Sequence, residues 1–206
     1  MKTVLIHGLG QSSSSWDNVK LNLGNDNDII AIDLFSNIES PVNYEKVFLK
    51  IEKMLNSYSE KVNICGLSLG GVLALDYTSK YPDKVNSLVL IATPYIVPKE
   101  LKIKQNEMFG QMPEETFTGL GLQKQDFINL VNTTYDVDIP SKVNDVICKT
   151  LIVCGENDFI NLESSKIIYN SIENSELSII KNAAHTVNID NPIELSKILN
   201  EFLKQE

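Results

Sequence analysis

The chain has 206 residues, 43% of them apolar, and a formal net charge of −9, a length that suits one domain with its own core. That acidity excludes partners held through a basic patch, so neither nucleic acid nor an anionic membrane surface is expected; no apolar run approaches the roughly 18 residues of a membrane span. The opening Met1-Lys2-Thr3-Val4-Leu5-Ile6 is too short an apolar segment for a secretory leader, and a cytoplasmic protein is expected.

In chain order, the first buried strand is predicted at Thr3–Ile6, followed by His7-Gly8-Leu9-Gly10, a polar turn at Ser12–Ser15 with Trp16, and a helix over Ser15–Leu23. A second strand fits Asp28–Ile32. The spacing of Val47, Phe48, Ile51, Met54 and Leu55 then predicts an amphipathic helix over Tyr44–Tyr58, with Glu45, Lys46, Lys50, Glu52 and Lys53 on its wet face. A third strand, Val62–Cys65, leads into Gly66-Leu67-Ser68-Leu69-Gly70 and a helix over Ser68–Lys80; a fourth covers Ser87–Ile91.

Pro94–Lys149 has no convincing strand and is too long for an ordinary connection. Its apolar residues, among them Met108, Phe109, Met112, Phe117, Leu120, Leu122, Phe127 and Leu130, suggest a small lid of two or three short helices. Beyond it come a strand at Thr150–Cys154, a helix at Leu162–Ser171, a strand at Leu177–Ile180, and a helix at Pro192–Lys204 with its proline in the first turn. Alternating short apolar runs and helices imply an α/β doubly wound sheet, which binds ligands at the carboxyl ends of its strands.

Gly-x-Ser-x-Gly between a strand and a helix is a nucleophile elbow, whose glycines permit a tight turn that lifts the serine hydroxyl clear of the sheet. A serine hydroxyl needs a base, usually a histidine held by a carboxylate. Of the two histidines, His185 follows the last predicted strand and shares an edge with Ser68. In Gly155-Glu156-Asn157-Asp158, after the fifth strand, Asp158 is the chosen partner and Glu156 the alternative. Stabilising a tetrahedral oxyanion needs two N–H donors; the amides of Leu69, at the start of the helix, and Leu9, in the glycine-rich first loop, are the candidates. His7 is read as a buttress of that loop.

Together these motifs resemble the α/β-hydrolase superfamily, in the subgroup with a His-Gly-x-Gly loop, a Gly-x-Ser-x-Gly elbow, a Gly-x-x-Asp loop and a late histidine. The resemblance spans nearly the whole chain. It implies a three-layer fold whose shortened, mostly parallel sheet has six strands in the order 2-1-3-4-5-6, the two strands that usually come first being absent, with a lid inserted at about 94–149. It also implies Ser68 as nucleophile, His185 as base, Asp158 as its orienter, and no metal or organic cofactor. Asp33-Leu34-Phe35-Ser36-Asn37 departs from the family's Asp-x-Pro-Gly-x-Gly.

The expected activity is hydrolysis of a small, uncharged or weakly charged ester, thioester or lactone through an acyl-enzyme, with Tyr95 and Phe159 nominated for substrate contact. Lyases, carbon–carbon hydrolases and acyltransferases use the same residues, and some members only bind ligands. All 18 basic residues are lysines, so no bidentate guanidinium clamp exists for a substrate with several carboxylates. Cys65, Cys148 and Cys154 show no metal or redox spacing, and Cys65 and Cys154, at strand ends, are expected as buried thiols.

Overall fold

A computed structural model describes residues 1–23 and 28–204. Its described elements are β1 (Lys2–Ile6), α1 (Asp17–Asn22), β2 (Asp28–Ile32), α2 (Tyr44–Asn56), β3 (Val62–Leu67), α3 (Leu69–Lys80), β4 (Val85–Ile91), α4 (Lys99–Gln111), α5 (Glu114–Thr118), α6 (Lys124–Thr134), α7 (Ile139–Asn144), β5 (Lys149–Gly155), α8 (Asn161–Ser171), β6 (Ser175–Ile180), α9 (Val187–Asp190) and α10 (Pro192–Lys204). The six strands form one sheet in the order β2-β1-β3-β4-β5-β6, and every pairing is parallel.

Parallel strands covered on both faces must be apolar throughout. Accordingly β3 is buried along its whole length, and β4 is buried except at Asn86. On one face lie α2, α3 and α8, which contribute Tyr44, Val47, Ile51, Val72, Leu73 and Ile168 to the core. On the other lie α1 and α10, with Val19, Leu195, Leu199 and Phe202. The predicted stripe of α2 is its buried face except for the half-buried Met54, and Asn43 caps the helix by accepting the Lys46 N–H at 2.9 Å. The first predicted helix is shorter than expected: Ser13–Trp16 forms a 3-10 turn before α1 begins.

Register sets the working edge. Ile6 pairs with Gly66, Leu67 with Ile91, Ile91 with Val153, and Gly155 with Ile180. The loops after β1, β3, β5 and β6 therefore emerge side by side. Between β4 and β5 the chain forms four helices, α4 to α7, rather than two or three. Buried Asp126 of α6 ties this segment to the loop before α2, accepting from Ser40 Oγ at 2.6 Å and the Val42 N–H at 2.8 Å. Lys142 of α7 pairs with Asp76 of α3 at 2.5 Å.

Cys65 and Cys154 are buried at strand ends and Cys148 is half-buried. Burial pushes all three thiols up, Cys154 to about 11. No described helix is long and apolar enough to cross a membrane.

Candidate active site

Ser68 stands alone between β3 and α3 at φ 54°, ψ −113°, a backbone region that costs a non-glycine residue about 1–3 kcal/mol. Its N–H is anchored to the Ile91 carbonyl of β4 at 2.8 Å. The two elbow glycines are required by contact: a Cβ on Gly66 would meet the Gly70 carbonyl oxygen at 2.1 Å, and one on Gly70 the Ile6 oxygen at 2.3 Å.

The loops after β5 and β6 are laced together, because the Glu156 and Asn157 N–H groups donate to Ile180 and Ala183 at 2.9 Å each. This lacing brings Asp158 to His185. Asp158 Oδ2 lies 2.8 Å from His185 Nδ1, with the carboxylate 5% exposed. The imidazole Nδ1 proton bonds that carboxylate, leaving Nε2 free to accept. Asn161, which the sequence reading did not single out, clamps the same group. Its side-chain amide donates to both Asp158 oxygens at 3.0 and 2.9 Å, and its backbone N–H donates to Oδ1 at 3.2 Å. Burial alone would raise the Asp158 carboxyl, but the bonds from His185 and Asn161 outweigh it and hold the group below the usual carboxylate range. Glu156 points elsewhere, accepting from the Asn182 N–H at 3.3 Å.

Asp190 holds the residues on either side of His185, one by its backbone and the other by its hydroxyl. Its carboxylate accepts from the Ala184 N–H at 2.8 Å and from Thr186 Oγ1 at 3.1 Å.

Behind the first loop, His7 is fully buried. The Leu34 N–H donates to Nε2 at 3.0 Å, which requires a lone pair there, so Nδ1 carries the proton and donates to the Gly8 carbonyl at 2.8 Å. Desolvation lowers its pKa against the weaker upward pull of Gly8 and Asp33. Lys50 holds the departed Asp33–Asn37 loop from the other side, donating to the Asp33 and Leu34 carbonyls at 2.9 and 3.2 Å.

One cavity of about 380 Å³ is lined by Leu9, Ser68, Leu69, Asp158, Asn161 and His185 at its strand-end side. Helices α4 and α6 supply Leu101, Phe109, Phe127, Leu130 and Val131 as an apolar roof. Ser68 and His185 share this wall without a hydrogen bond between them. The Leu69 N–H opens a helix, so it has no intrahelical partner.

The two residues nominated for substrate contact fall outside this cavity. Phe159 is 82% exposed, because the turn that aims Asp158 inward sends its neighbour outward. Tyr95 lines an adjoining cavity of about 270 Å³, and Ile160 and Tyr135 line the first instead. A polar cavity of about 420 Å³ beside Gly10, Ser12 and Asp33 holds none of Ser68, Asp158 or His185. Among the described residues no group of three or more His, Cys, Asp or Glu could hold a metal.

A family model described as "alpha/beta hydrolase fold" matches residues 4–119. A Bacillus subtilis protein provisionally named a 2-succinyl-6-hydroxy-2,4-cyclohexadiene-1-carboxylate synthase is 22% identical, over 97% of this chain and 89% of its own. A carboxylesterase of the same organism is 26% identical over 71% of this chain, which spans 65% of that relative. Among solved structures, a thermophilic esterase from Thermogutta terrifontis superposes with a TM-score of 0.84 at 20% identity, covering all of this chain and 90% of its own.

Proposed function

The chain belongs to the alpha/beta-hydrolase fold family, and on that premise we propose that it is a serine hydrolase of carboxylic esters acting through an acyl-enzyme on Ser68. The observation that carries this reading is the 2.8 Å bond between Asp158 and His185 on the wall shared with a strained Ser68. The segment from about 94 to 149 serves as the lid of a single domain.

In this reading, Ser68 Oγ attacks the ester carbonyl while His185 Nε2 takes its proton, and Asp158 stabilises the imidazolium that forms. The carbonyl oxygen becomes an oxyanion between the Leu9 and Leu69 N–H groups, an interaction of about 3–4 kcal/mol per donor in comparable sites. Collapse of the intermediate expels the alcohol, which His185 protonates. Water, deprotonated by the same nitrogen, then attacks the acyl carbon and releases the acid and Ser68.

The carboxylate synthase named among the relatives favours a second reading, carbon–carbon or elimination chemistry on the same residues. A substrate carrying carboxylates would call for a cation beside Ser68. The residues lining that cavity include no lysine, and the chain has no arginine, so the ester reading fits better.

Labelling by a fluorophosphonate, compared between the parent and Ser68→Ala, tests the assignment. Labelling of the parent alone, with turnover of p-nitrophenyl acetate lost in the variant, is expected. Equal labelling of both proteins would remove Ser68 from the role of nucleophile.

A further inference from the structure

The catalytic cavity and the adjoining cavity share five wall residues, Val72, Pro94, Val97, Thr134 and Tyr135. The two cavities adjoin, and Tyr135, where α6 ends, is the largest of the side chains that border both. Its hydroxyl donates to Gln105 on α4, and the Lys102 ammonium sits 4.8 Å from the centre of its ring. The ring is thus held from the roof, at the boundary of both spaces.

The roof itself indicates what fills them. α4 has thirteen residues and none is buried, although Leu101 and Phe109 face the cavity rather than the bulk solvent. The farther compartment is lined by Val72, Val97, Val137, Ile139 and Pro140. A hydrocarbon chain laid against these apolar walls would be removed from water, which is favourable in proportion to the area covered. Lys102 and Asp138 both border the farther compartment, so their charges oppose one another and favour no charged chain end.

We propose that the two compartments form a single acyl channel partitioned by Tyr135, and that the protein acts on unbranched, uncharged acyl chains long enough to pass this residue. Acyl groups of about eight or more carbons are selected over acetyl and butyryl, each methylene taken into the channel raising kcat/KM by up to about fourfold. The inference rests on the ester-hydrolase reading of Ser68 for its kinetic test, and on the cavities alone for its binding test.

The kinetic test measures kcat/KM for p-nitrophenyl acetate, butyrate, octanoate and decanoate with the parent, Val137→Trp and Tyr135→Phe. Val137→Trp fills the farther compartment; it should lower octanoate and decanoate turnover at least about tenfold more than acetate turnover. Tyr135→Phe frees the ring from Gln105 and should raise the decanoate-to-butyrate ratio. A parent rate that falls beyond butyrate, or a Val137→Trp loss equal at all lengths, would overturn the channel while leaving the esterase reading intact, provided Ser68 still labels and acetate still turns over. If no ester is hydrolysed, calorimetric titration of Ser68→Ala with 2-decanone and 2-pentanone decides the matter without chemistry. Tighter binding of the longer ketone, lost in Val137→Trp, supports the channel; equal binding of the two overturns it.

Discussion

Gln11 and Asn188, 177 residues apart in sequence, exchange their side-chain amides: Gln11 Nε2 donates to Asn188 Oδ1 at 3.1 Å, and Asn188 Nδ2 donates to Gln11 Oε1 at 3.3 Å. Gln11 Oε1 also accepts the Gly8 N–H at 3.3 Å, while Asn188 Nδ2 donates to the Ser15 carbonyl at 3.1 Å. The pair joins the loop that carries Leu9 to the short helix that follows His185. Removing either amide takes a bond from the other, at a fully buried Asn188 or a half-buried Gln11. We expect Gln11→Ala and Asn188→Ala each to reduce kcat/KM toward an aryl acetate by about tenfold, and a double-mutant cycle to show a coupling of about 1 kcal/mol. Strictly additive losses would show that the two loops are positioned independently.

Relief of strain at Ser68 should separate stability from turnover. Glycine adopts φ 54°, ψ −113° without penalty, so Ser68→Gly is expected to gain about 1 kcal/mol in urea unfolding while ester turnover disappears. Loss of stability in this variant would mean that the serine side chain holds the elbow together.

The Asn161 clamp makes a pH-dependent contribution to stability. Because the Asp158 carboxyl is held below its unfolded value of about 3.9, its stabilisation is present above that pH and fades as pH falls through the folded value. Asn161→Ala removes two donors to the charged form. The gap in unfolding free energy between parent and variant should be about 1–2 kcal/mol at pH 7 and narrow below about pH 4. A gap independent of pH would place the loss in packing alone.

His7 gives the opposite chemistry with the same slope. A histidine whose folded pKa lies below its unfolded value of about 6.5 binds fewer protons when folded, so stability is full above about pH 6.5 and declines as pH drops toward the folded value. His7→Leu leaves the Leu34 N–H unpaired, a cost of about 1–3 kcal/mol at pH 8, and abolishes this decline. Urea midpoints at pH 8 and pH 5 should therefore converge for parent and variant; divergence would mean that His7 is charged in the native state.

The strands and the elbow were legible because their constraints are local. A strand buried on both faces must be an apolar run, and a turn with no room for a Cβ must be glycine, as at Gly66 and Gly70. Pro192 marked the start of α10 for the same reason. The helices of the 94–149 segment were only partly legible, because α4 buries nothing and α6 is fixed by Asp126 reaching Ser40 and Val42. Asn161, Asn188 and Asp190 carried no periodic or motif signal. Asn161 and Asp190 make short-range bonds, to Asp158 and to Ala184 and Thr186, that follow no repeat, and Asn188 meets its partner only after the chain has folded. Phe159 lies near the strand ends, as its place after β5 implies, but is 82% exposed, and a position at the strand ends does not fix where a side chain in a turn points.

In the proposed ester hydrolysis, the cation-free surroundings of Ser68 also shape the end of each cycle. Hydrolysis converts a neutral ester into an anion that sits beside the buried Asp158 charge, with no lysine on that wall to retain it. Like-charge repulsion and desolvation both push the new carboxylate toward solvent. The lining proposed to admit an uncharged acyl group would thus reject it once cleaved, and accumulated acid is expected to inhibit the protein weakly even when its hydrocarbon tail fits well.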